Sequence, residues 1–197
     1  MDWPTEKYGA ILADPPWHFD VWSLNGKSKS KHPSAHYSTM STQDIYALPV
    51  RDLAARDCVL FLWIVWPMLE HGLKTIEAWG FKYKTCGFAW MKSGKETNVP
   101  IMGTGYWTRA NTEVCLLATK GKPKRLDAGV AQAIYEPRRE HSRKPDCVHE
   151  RIERLVSGPY LELFARQQRH GWDCWGDRKS TRLNSSHVSE SRMPSSA

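Results

Sequence analysis

Short apolar stretches and amphipathic stretches alternate along the chain. Residues 8–13 form an apolar run that ends at Asp14-Pro15-Pro16, and a proline pair cannot continue a strand. Residues 58–64 are apolar at every position, which is typical of a central parallel strand that is buried on both faces. The pattern therefore predicts buried strands at both places.

Helix start and stop signals follow these strands. Ser41 and Asp44 form an N-cap signature that predicts a short helix. Pro67 suits the first turn of a second helix, and Gly80 suits its end. The same order of proline first and glycine last predicts a third helix over residues 145–158. Apolar residues recur on one face of the last two helices: Met68, Leu69, Leu73, Ile76 and Trp79, then Val148, Ile152, Leu155 and Val156.

Further strands complete the pattern. They are predicted at residues 82–91, 112–119, 133–135, 160–164 and 172–175. A polar, glycine-bearing loop of about twenty residues separates the first two, and a loop of that length suggests function. Strands that alternate with helices predict an α/β layered fold with a mainly parallel sheet. We expect one domain over residues 1–176.

The composition changes abruptly at Asp177. Residues 177–197 are rich in serine and contain no aromatic residue, so we expect this tail to be disordered. The eleven residues 177–187 correspond to the translation of a common short-read sequencing adapter. Residues 191–197 match a further part of that adapter in a consistent frame. We therefore predict a non-native tail and exclude it from the fold; a natural serine-rich tail is the alternative.

Charge and cysteine content restrict the partners. The chain carries a net charge of +7, which permits a polyanionic partner but does not require one. It has no secretory signal and no long apolar stretch, so we expect a cytoplasmic protein with no membrane partner.

Its five cysteines include no Cys-x-x-Cys pair. A zinc site from Cys147, His149 and Cys174 fits no known ligand spacing, and we expect no metal.

The candidate catalytic residues are Asp14, Pro15, Pro16 and Trp17, which directly follow the first strand. Ligands of open α/β sheets bind outside the carboxyl ends of strands. The residue types suit an exocyclic adenine amine, whose lone pair is delocalised into the ring. Accepting hydrogen bonds from both of its N–H groups would favour a pyramidal nitrogen. The Asp14 carboxylate and the Pro15 carbonyl could be these acceptors.

The rest of this motif supports the same chemistry. Two adjacent prolines make the turn rigid, and rigid placement of reacting groups favours catalysis. Trp17 could stack on a base that has been swung out of a helix. The alternative interpretation is purely structural, namely a proline-stiffened turn capped by an aspartate.

An ordered series of motifs resembles one family. Asp-Pro-Pro-Trp at this place is similar to the catalytic motif of the adenine amino-methyltransferases. That family includes the catalytic subunit of eukaryotic messenger-RNA adenosine methyltransferase and bacterial and phage relatives. The resemblance covers residues 7–176 and looks closer to the compact bacterial or phage members. Further motifs are His36–Ser41, Leu60–Trp63, Trp79–Phe81, Gly105–Trp107, Glu113–Leu116, Ser142–Asp146 and Glu162–Arg166.

The resemblance implies a fold and a cofactor. It implies a Rossmann-like, S-adenosylmethionine-dependent methyltransferase with permuted motif order, in which a mainly parallel central sheet is flanked by helices. The catalytic strand comes first in the chain and the strand beside the cofactor comes late. The residues that it assigns to S-adenosylmethionine are Asp14, Ser142, Lys144, Glu162, Phe164 and Arg166.

The resemblance also implies a nucleic-acid substrate. Tyr37 resembles an aromatic residue that lines the target-base pocket. Trp17, Arg138, His141 and Arg143 are the other predicted substrate contacts. Positive charge in residues 19–37 and 138–144 could neutralise phosphates, although such runs are often only solvated loops. We expect Trp63 and Trp66 to pack in the core or against a partner, not on the substrate.

Several functions stay open at this point. DNA is the preferred substrate by analogy with the compact prokaryotic relatives, and RNA is the alternative. A different class is a catalytically silent, nucleic-acid-binding subunit, against which the intact Asp14–Trp17 motif and Lys144 argue. A Rossmann-type dehydrogenase is disfavoured, because no Gly-x-Gly-x-x-Gly follows the first strand. A homodimer and a heterodimer are both compatible with the resemblance.

Overall fold

The computed structural model describes residues 3–18, 40–94, 99–103, 107–139 and 143–176. Several predicted features lie outside these residues. They are the basic loop before residue 40, Tyr37, His141, Ser142 and the tail from residue 177.

The described part of the chain forms one sheet of seven strands, in the order β5-β3-β4-β2-β1-β6-β7. The strands are β1 (Tyr8–Ala13), β2 (Ala54–Ile64), β3 (Lys82–Ser93), β4 (Thr112–Lys120), β5 (Ala133–Pro137), β6 (Tyr160–Leu163) and β7 (Trp172–Trp175). Each predicted strand is present, so the alternation of apolar runs located the sheet correctly.

The strands run mainly in one direction. β1 pairs in parallel with β2 and β6, β3 with β5, and β6 with β7. β4 alone among these strands is antiparallel to its neighbours, β2 and β3. The prediction of a mainly parallel α/β sheet is confirmed. As a result, the carboxyl ends of β1, β2, β3 and β6 lie at the same edge of the sheet as the first residues of β4.

Three α-helices connect the strands in the described residues: α1 (Thr42–Ala47), α2 (Leu69–Ala78) and α3 (Cys147–Leu155). The Ser41 side chain accepts a hydrogen bond from the Asp44 backbone N–H, as the N-cap signature predicts. A short 3₁₀ helix over Trp66–Met68 contains Pro67 and leads into α2. Gly80 ends α2 with a φ of 77°, which a glycine adopts without strain.

The core lies on both faces of the sheet. On one face, buried residues of α1 and α2, including Ile45 and Ile76, pack with β1 and β2. On the other face, Val148 and Ile152 of α3 pack against residues of β2 and β3 that include Trp63. Both faces of the central strands are therefore covered, which explains why residues 58–64 of β2 are apolar at every position. None of the helices in the described ranges is both long and apolar enough to cross a membrane.

The start of β1 is clamped against the segment that precedes β6. The Gly9 N–H donates to the Pro159 carbonyl at 2.9 Å. A Cβ at Gly9 would lie only 2.7 Å from the Ser157 carbonyl oxygen and 2.8 Å from that of Gly158. Because both obstacles are backbone atoms, neither can move aside easily.

Gly9→Ala should therefore destabilise the fold. We expect the free energy of unfolding to fall by about 2 kcal/mol because the backbone must shift. Thermal unfolding should show this as a decrease in Tm of roughly 4–8 °C. Glu77→Ala, at an exposed position of α2, is the control and should leave Tm unchanged. An unchanged Tm for Gly9→Ala would show that this contact does not constrain β1.

Candidate active site

Asp14 lies at the carboxyl end of β1, between the ends of two neighbouring strands. The preceding residue, Ala13, pairs with Leu62 of β2 and with Leu163 of β6. The turn that follows closes on itself, because the Trp17 backbone N–H donates to the Pro15 carbonyl at 2.8 Å. The predicted position of the acidic turn is confirmed. The Pro15 oxygen already accepts this bond and keeps one lone pair for another donor.

The structure places Trp17 differently from the prediction. Its side chain is 4% exposed and packs in the core, and its indole Nε1–H donates to the Trp63 carbonyl at 3.0 Å. A ring held in this way offers no free face on which a base could stack. Trp17 instead anchors the turn to the end of β2.

Lys144 binds Asp14 directly. Its Nζ donates to Asp14 Oδ1 at 2.8 Å and to Oδ2 at 2.7 Å. The same Nζ lies 5.5 Å from the centre of the Trp63 ring, within the range of a cation–π contact. The side chains of Lys144 and Asp14 are only 16% and 23% exposed. Residues 130 positions apart in the chain therefore share one site.

Glu113 is a member of this site to which the sequence analysis gave no role. It is the second residue of β4 and is 7% exposed. Its Oε2 lies 3.2 Å from Lys144 Nζ, and its Oε1 accepts a hydrogen bond from Lys92 of β3. Lys92 in turn lies over the Trp90 ring at 5.1 Å. A carboxylate directly before the apolar run of residues 114–118 is the signal that could have identified it.

Two carboxylates and two ammonium groups thus form a connected charge network, which comprises Asp14, Lys144, Glu113 and Lys92. Oppositely charged groups alternate along it, and the four charges sum to zero. Because charges at this degree of burial are unfavourable without partners, each group depends on its neighbours.

The network shifts the pKa values of its members. Burial raises the pKa of Asp14, and the neighbouring Lys144 only partly offsets that effect. Burial would also raise the pKa of Glu113, but Lys144 and Lys92 together hold it below its usual range. Burial opposes the charge of Lys144, yet Asp14 and Glu113 raise the pKa of Lys144 well above its ordinary value. Lys144 is therefore cationic at neutral pH, and Glu113 is ionised.

The turn after β6 lies beside Asp14, as predicted. Phe164 has a φ of 63°, a strained conformation for a bulky residue that is found mainly at functional turns. The Ala165 N–H donates to the Trp175 carbonyl at 3.0 Å, and a Cβ at Gly176 would come within 2.6 Å of Ala165 backbone atoms. The end of β7 thus holds this turn in place.

Two of the predicted cofactor residues, Arg166 and Glu162, differ in their contacts. The Arg166 guanidinium lowers the pKa of Asp14, so its charge acts on the site. Glu162 instead has its Oε2 2.8 Å from His149 Nε2 of α3, so its carboxylate contacts α3. Over the described residues, no group of three or more His, Cys, Asp or Glu side chains could hold a metal ion.

The predicted substrate residues are only partly available. Arg138 is exposed just after β5. Arg143 donates to both Asp146 oxygens at 2.9 and 3.0 Å, and Arg139 also pairs with Asp146. Arg143 therefore helps to fix the segment before α3.

Trp63 is buried as expected, whereas Trp66 is 51% exposed and its indole N–H donates to Thr112 at 3.0 Å.

Comparison with known proteins identifies the family. The MT-A70 family model matches residues 8–178, which include the whole sheet and the charge network. The chain belongs to the MT-A70 family of methyltransferases. The prediction from the motif series is confirmed, and so is the prediction of a Rossmann-like methyltransferase fold.

The relatives of this MT-A70 protein differ in size. It is 33% identical over 189 residues to the type II methyltransferase M.MunI of a Mycoplasma species, covering 88% of this chain and 78% of that protein. It is 32% identical over 178 residues to an N(6)-adenosine-methyltransferase MT-A70-like protein of Arabidopsis thaliana, with 87% and 24% covered. It is 30% identical over 163 residues to the N(6)-adenosine-methyltransferase catalytic subunit METTL3 of Homo sapiens, with 81% and 26% covered. The chain therefore spans about a quarter of the length of these two eukaryotic relatives.

Lys144→Met should destabilise this MT-A70 domain. The change leaves Asp14 and Glu113 buried without their shared cation, and breaking a buried pair in this way costs about 3–5 kcal/mol. Urea unfolding at pH 7 measures the loss. Lys74→Met, which breaks an exposed pair with Glu70 on α2, is the matched control and should have no measurable effect.

The difference in the free energy of unfolding between the wild type and Lys144→Met should also become smaller as the pH is lowered. Without the cation, the folded-state pKa of Asp14 rises further above its ordinary value, and that of Glu113 rises from its lowered value. The folded variant then takes up protons before the unfolded chain does, so its free energy of unfolding rises relative to the wild type as the pH falls through that range. A difference in the free energy of unfolding that stays constant between pH 7 and pH 5 would contradict this account of the network.

Proposed function

We propose that this protein transfers a methyl group from S-adenosylmethionine to the exocyclic 6-amino group of adenine in nucleic acid, with DNA as the expected substrate. One observation carries the proposal. A rigid Asp-Pro-Pro turn presents a carboxylate at the carboxyl edge of the sheet, where Lys144 binds it and the turn after β6 adjoins it. Membership in a methyltransferase family gives this geometry its chemistry.

The residues present fit the proposed cofactor. S-adenosylmethionine carries a methyl group on a positively charged sulfur and ends in an amino acid with one carboxylate and one ammonium group. Lys144 would pair with the carboxylate, and Asp14 would accept a hydrogen bond from the ammonium group. The half-buried rings of Phe164 and Trp175, whose centres are 5.6 Å apart, would give the cofactor an apolar wall. Arg166 adds a second cation at this edge.

The same turn suits the substrate amine. An ionised Asp14 accepts a hydrogen bond from one amine N–H, and the remaining lone pair of the Pro15 carbonyl accepts another. Two acceptors fixed in place favour a pyramidal nitrogen whose lone pair is free for bond formation. The buried anchor of Trp17 keeps these acceptors in register. Exposed Arg138 would contact a phosphate.

The expectation of DNA is supported by the match to M.MunI, a type II methyltransferase, at 33% identity over 189 residues. The experiment that decides the substrate uses labelled S-adenosylmethionine with DNA and RNA oligonucleotides of matched sequence, single-stranded and double-stranded, followed by nucleoside mass spectrometry. N6-methyldeoxyadenosine in the DNA supports the proposal, whereas N6-methyladenosine in RNA alone would correct its substrate.

A catalytically silent subunit is separated by two measurements. Calorimetry with S-adenosylmethionine tests cofactor binding, and the methylation assay tests turnover. A protein that binds oligonucleotides but neither binds the cofactor nor methylates any of them would overturn the proposal.

Asp14→Asn should abolish methyl transfer and leave the fold intact. The amide retains the shape of the side chain but accepts hydrogen bonds more weakly and removes the charge that holds Lys144. We expect a loss of activity of at least about 100-fold with an unchanged circular dichroism spectrum. Asp52→Asn, an exposed position before β2, should retain full activity. Near-normal turnover by Asp14→Asn would remove Asp14 from the mechanism.

Activity should also fall on acidification at a higher pH than an ordinary aspartate would require. Ionised Asp14 accepts the amine N–H more strongly than the protonated acid does, and the pKa of Asp14 is raised mainly by burial. As the pH falls through that raised pKa, the carboxyl takes up a proton and the rate declines. The pH profile of kcat/KM for the oligonucleotide measures this acidic limb. A profile that stays flat down to the ordinary pKa of aspartate would refute the assignment.

A further inference from the structure

The burial of Trp17 leaves the acidic turn without an aromatic surface for the substrate. The Trp17 ring packs in the core, and its indole N–H is bound to the Trp63 carbonyl. An enzyme that modifies a base must still take that base out of its stack, which costs free energy. The neighbouring base then has one face without a stacking partner, and an aromatic side chain can cover such a face.

Trp66 lies at the same edge of the sheet as Asp14. The residue before Asp14 pairs with Leu62 of β2, and Trp66 follows Leu62 by four positions. Trp66 therefore lies no more than about 10 Å further out than Asp14 along the strand direction. A base whose amine is bound at Asp14 extends outward from this edge, so its neighbour in the strand comes to the level of Trp66.

The Trp66 ring is held in place and is still accessible. Its indole N–H donates to Thr112 Oγ1 at 3.0 Å, and Pro67 restricts the backbone that follows. About half of the residue nevertheless remains exposed. Trp107, in the loop between β3 and β4, is wholly exposed, so packing does not fix its ring. Because the Trp66 ring is fixed before binding, stacking on it costs little conformational entropy.

The position of Thr112 indicates which base the ring can reach. Successive side chains of a strand point to opposite faces of the sheet. Val114 packs in the same cluster as Ile76 of α2, so Thr112 and the ring bound to it lie on the α2 side. Glu113, between them, points to the opposite side, where the charge network lies. The ring therefore lies beside the network and not over it, which suits the base next to the one that Asp14 would bind.

We propose that Trp66 stacks on the nucleobase next to the target adenine and replaces the stacking contact that this base loses when the adenine is swung out. The inference rests on the function proposed above, because it requires a nucleic-acid substrate. It departs from the sequence-based expectation that Trp66 packs in the core or against a partner. Since every base has an aromatic face, the contact accepts any base at that position.

The test compares variants of the full chain on matched oligonucleotides. Trp66→Ala and Trp66→Leu remove the ring, and Trp66→Phe keeps one. Tyr83→Ala, which removes an exposed ring at the opposite edge of the sheet, is the matched control. The substrates are the oligonucleotide that the wild type modifies and two copies of it, in which an abasic site replaces the 5′ or the 3′ neighbour of the target adenine. The assay gives kcat/KM at saturating labelled S-adenosylmethionine, and fluorescence anisotropy gives the dissociation constant of each oligonucleotide.

Trp66→Ala and Trp66→Leu should each lower kcat/KM on the intact oligonucleotide by about tenfold and weaken its binding by a similar factor. On one of the two abasic oligonucleotides this effect should disappear, because the base that the ring contacts is already missing. Trp66→Phe should stay within about threefold of the wild type, since a smaller ring still stacks. Tyr83→Ala should behave like the wild type on every substrate. Thermal unfolding confirms that each variant is folded at the assay temperature.

Two results would overturn the stacking contact while the proposed function stands. One is an active wild type together with unaffected Trp66→Ala and Trp66→Leu variants. The other is a loss of equal size on all three oligonucleotides, because Trp66 would then act only through the structure of the site. If the wild-type protein methylates neither DNA nor RNA, the proposed function fails and the stacking contact at a target adenine fails with it.

Discussion

The ion pair between Asp14 and Lys144 is the interaction on which the site depends. It joins the end of the first strand to the segment that precedes the last helix, 130 residues further along the chain. Burial disfavours the charged form of both groups, and each group offsets that effect in its partner. The pair therefore couples the fold to the chemistry. The sheet topology brings the two side chains together, and their mutual neutralisation keeps both of them ionised at the edge where a ligand of an open α/β sheet binds.

The elements and the fold class could be predicted from the sequence because their signals are local. Apolar runs, caps and breakers located every strand and α-helix of the described chain but not the short 3₁₀ helix over Val50–Asp52. Asp14 was placed correctly because a proline pair ends a strand wherever it occurs. The family resemblance added Lys144, Phe164 and Arg166, whose positions in the motif order match the turn and helix start that now face Asp14. These residues lie far apart in sequence, and residue spacing alone could not have joined them.

The role of Trp17 and the partners of Glu113 could not be predicted from the sequence. A tryptophan after a turn suits a stacking platform and a core anchor equally well, because both use the same large ring. Only the acceptor at the Trp63 carbonyl decides between them. Glu113 sits one position inside β4, and its partners come from a neighbouring strand and from a distant loop. The carboxylate beside an apolar run could have marked Glu113 as unusual, but its two lysine partners follow only from the three-dimensional contacts.

The network also resolves a conflict that any amine-accepting carboxylate faces. A fully solvated carboxylate would be ionised, but water would compete with the amine for its oxygens. Burial without partners favours the protonated acid, which accepts the amine N–H more weakly than the carboxylate does. Lys144 favours the ionised form of Asp14 in a partly dry site, and each Asp14 oxygen that accepts from Lys144 keeps a lone pair for a further donor. Glu113 contacts the same ammonium group and is neutralised in turn by Lys92. The ion pair between Asp14 and Lys144 is therefore part of a connected group of four charges and not an isolated contact.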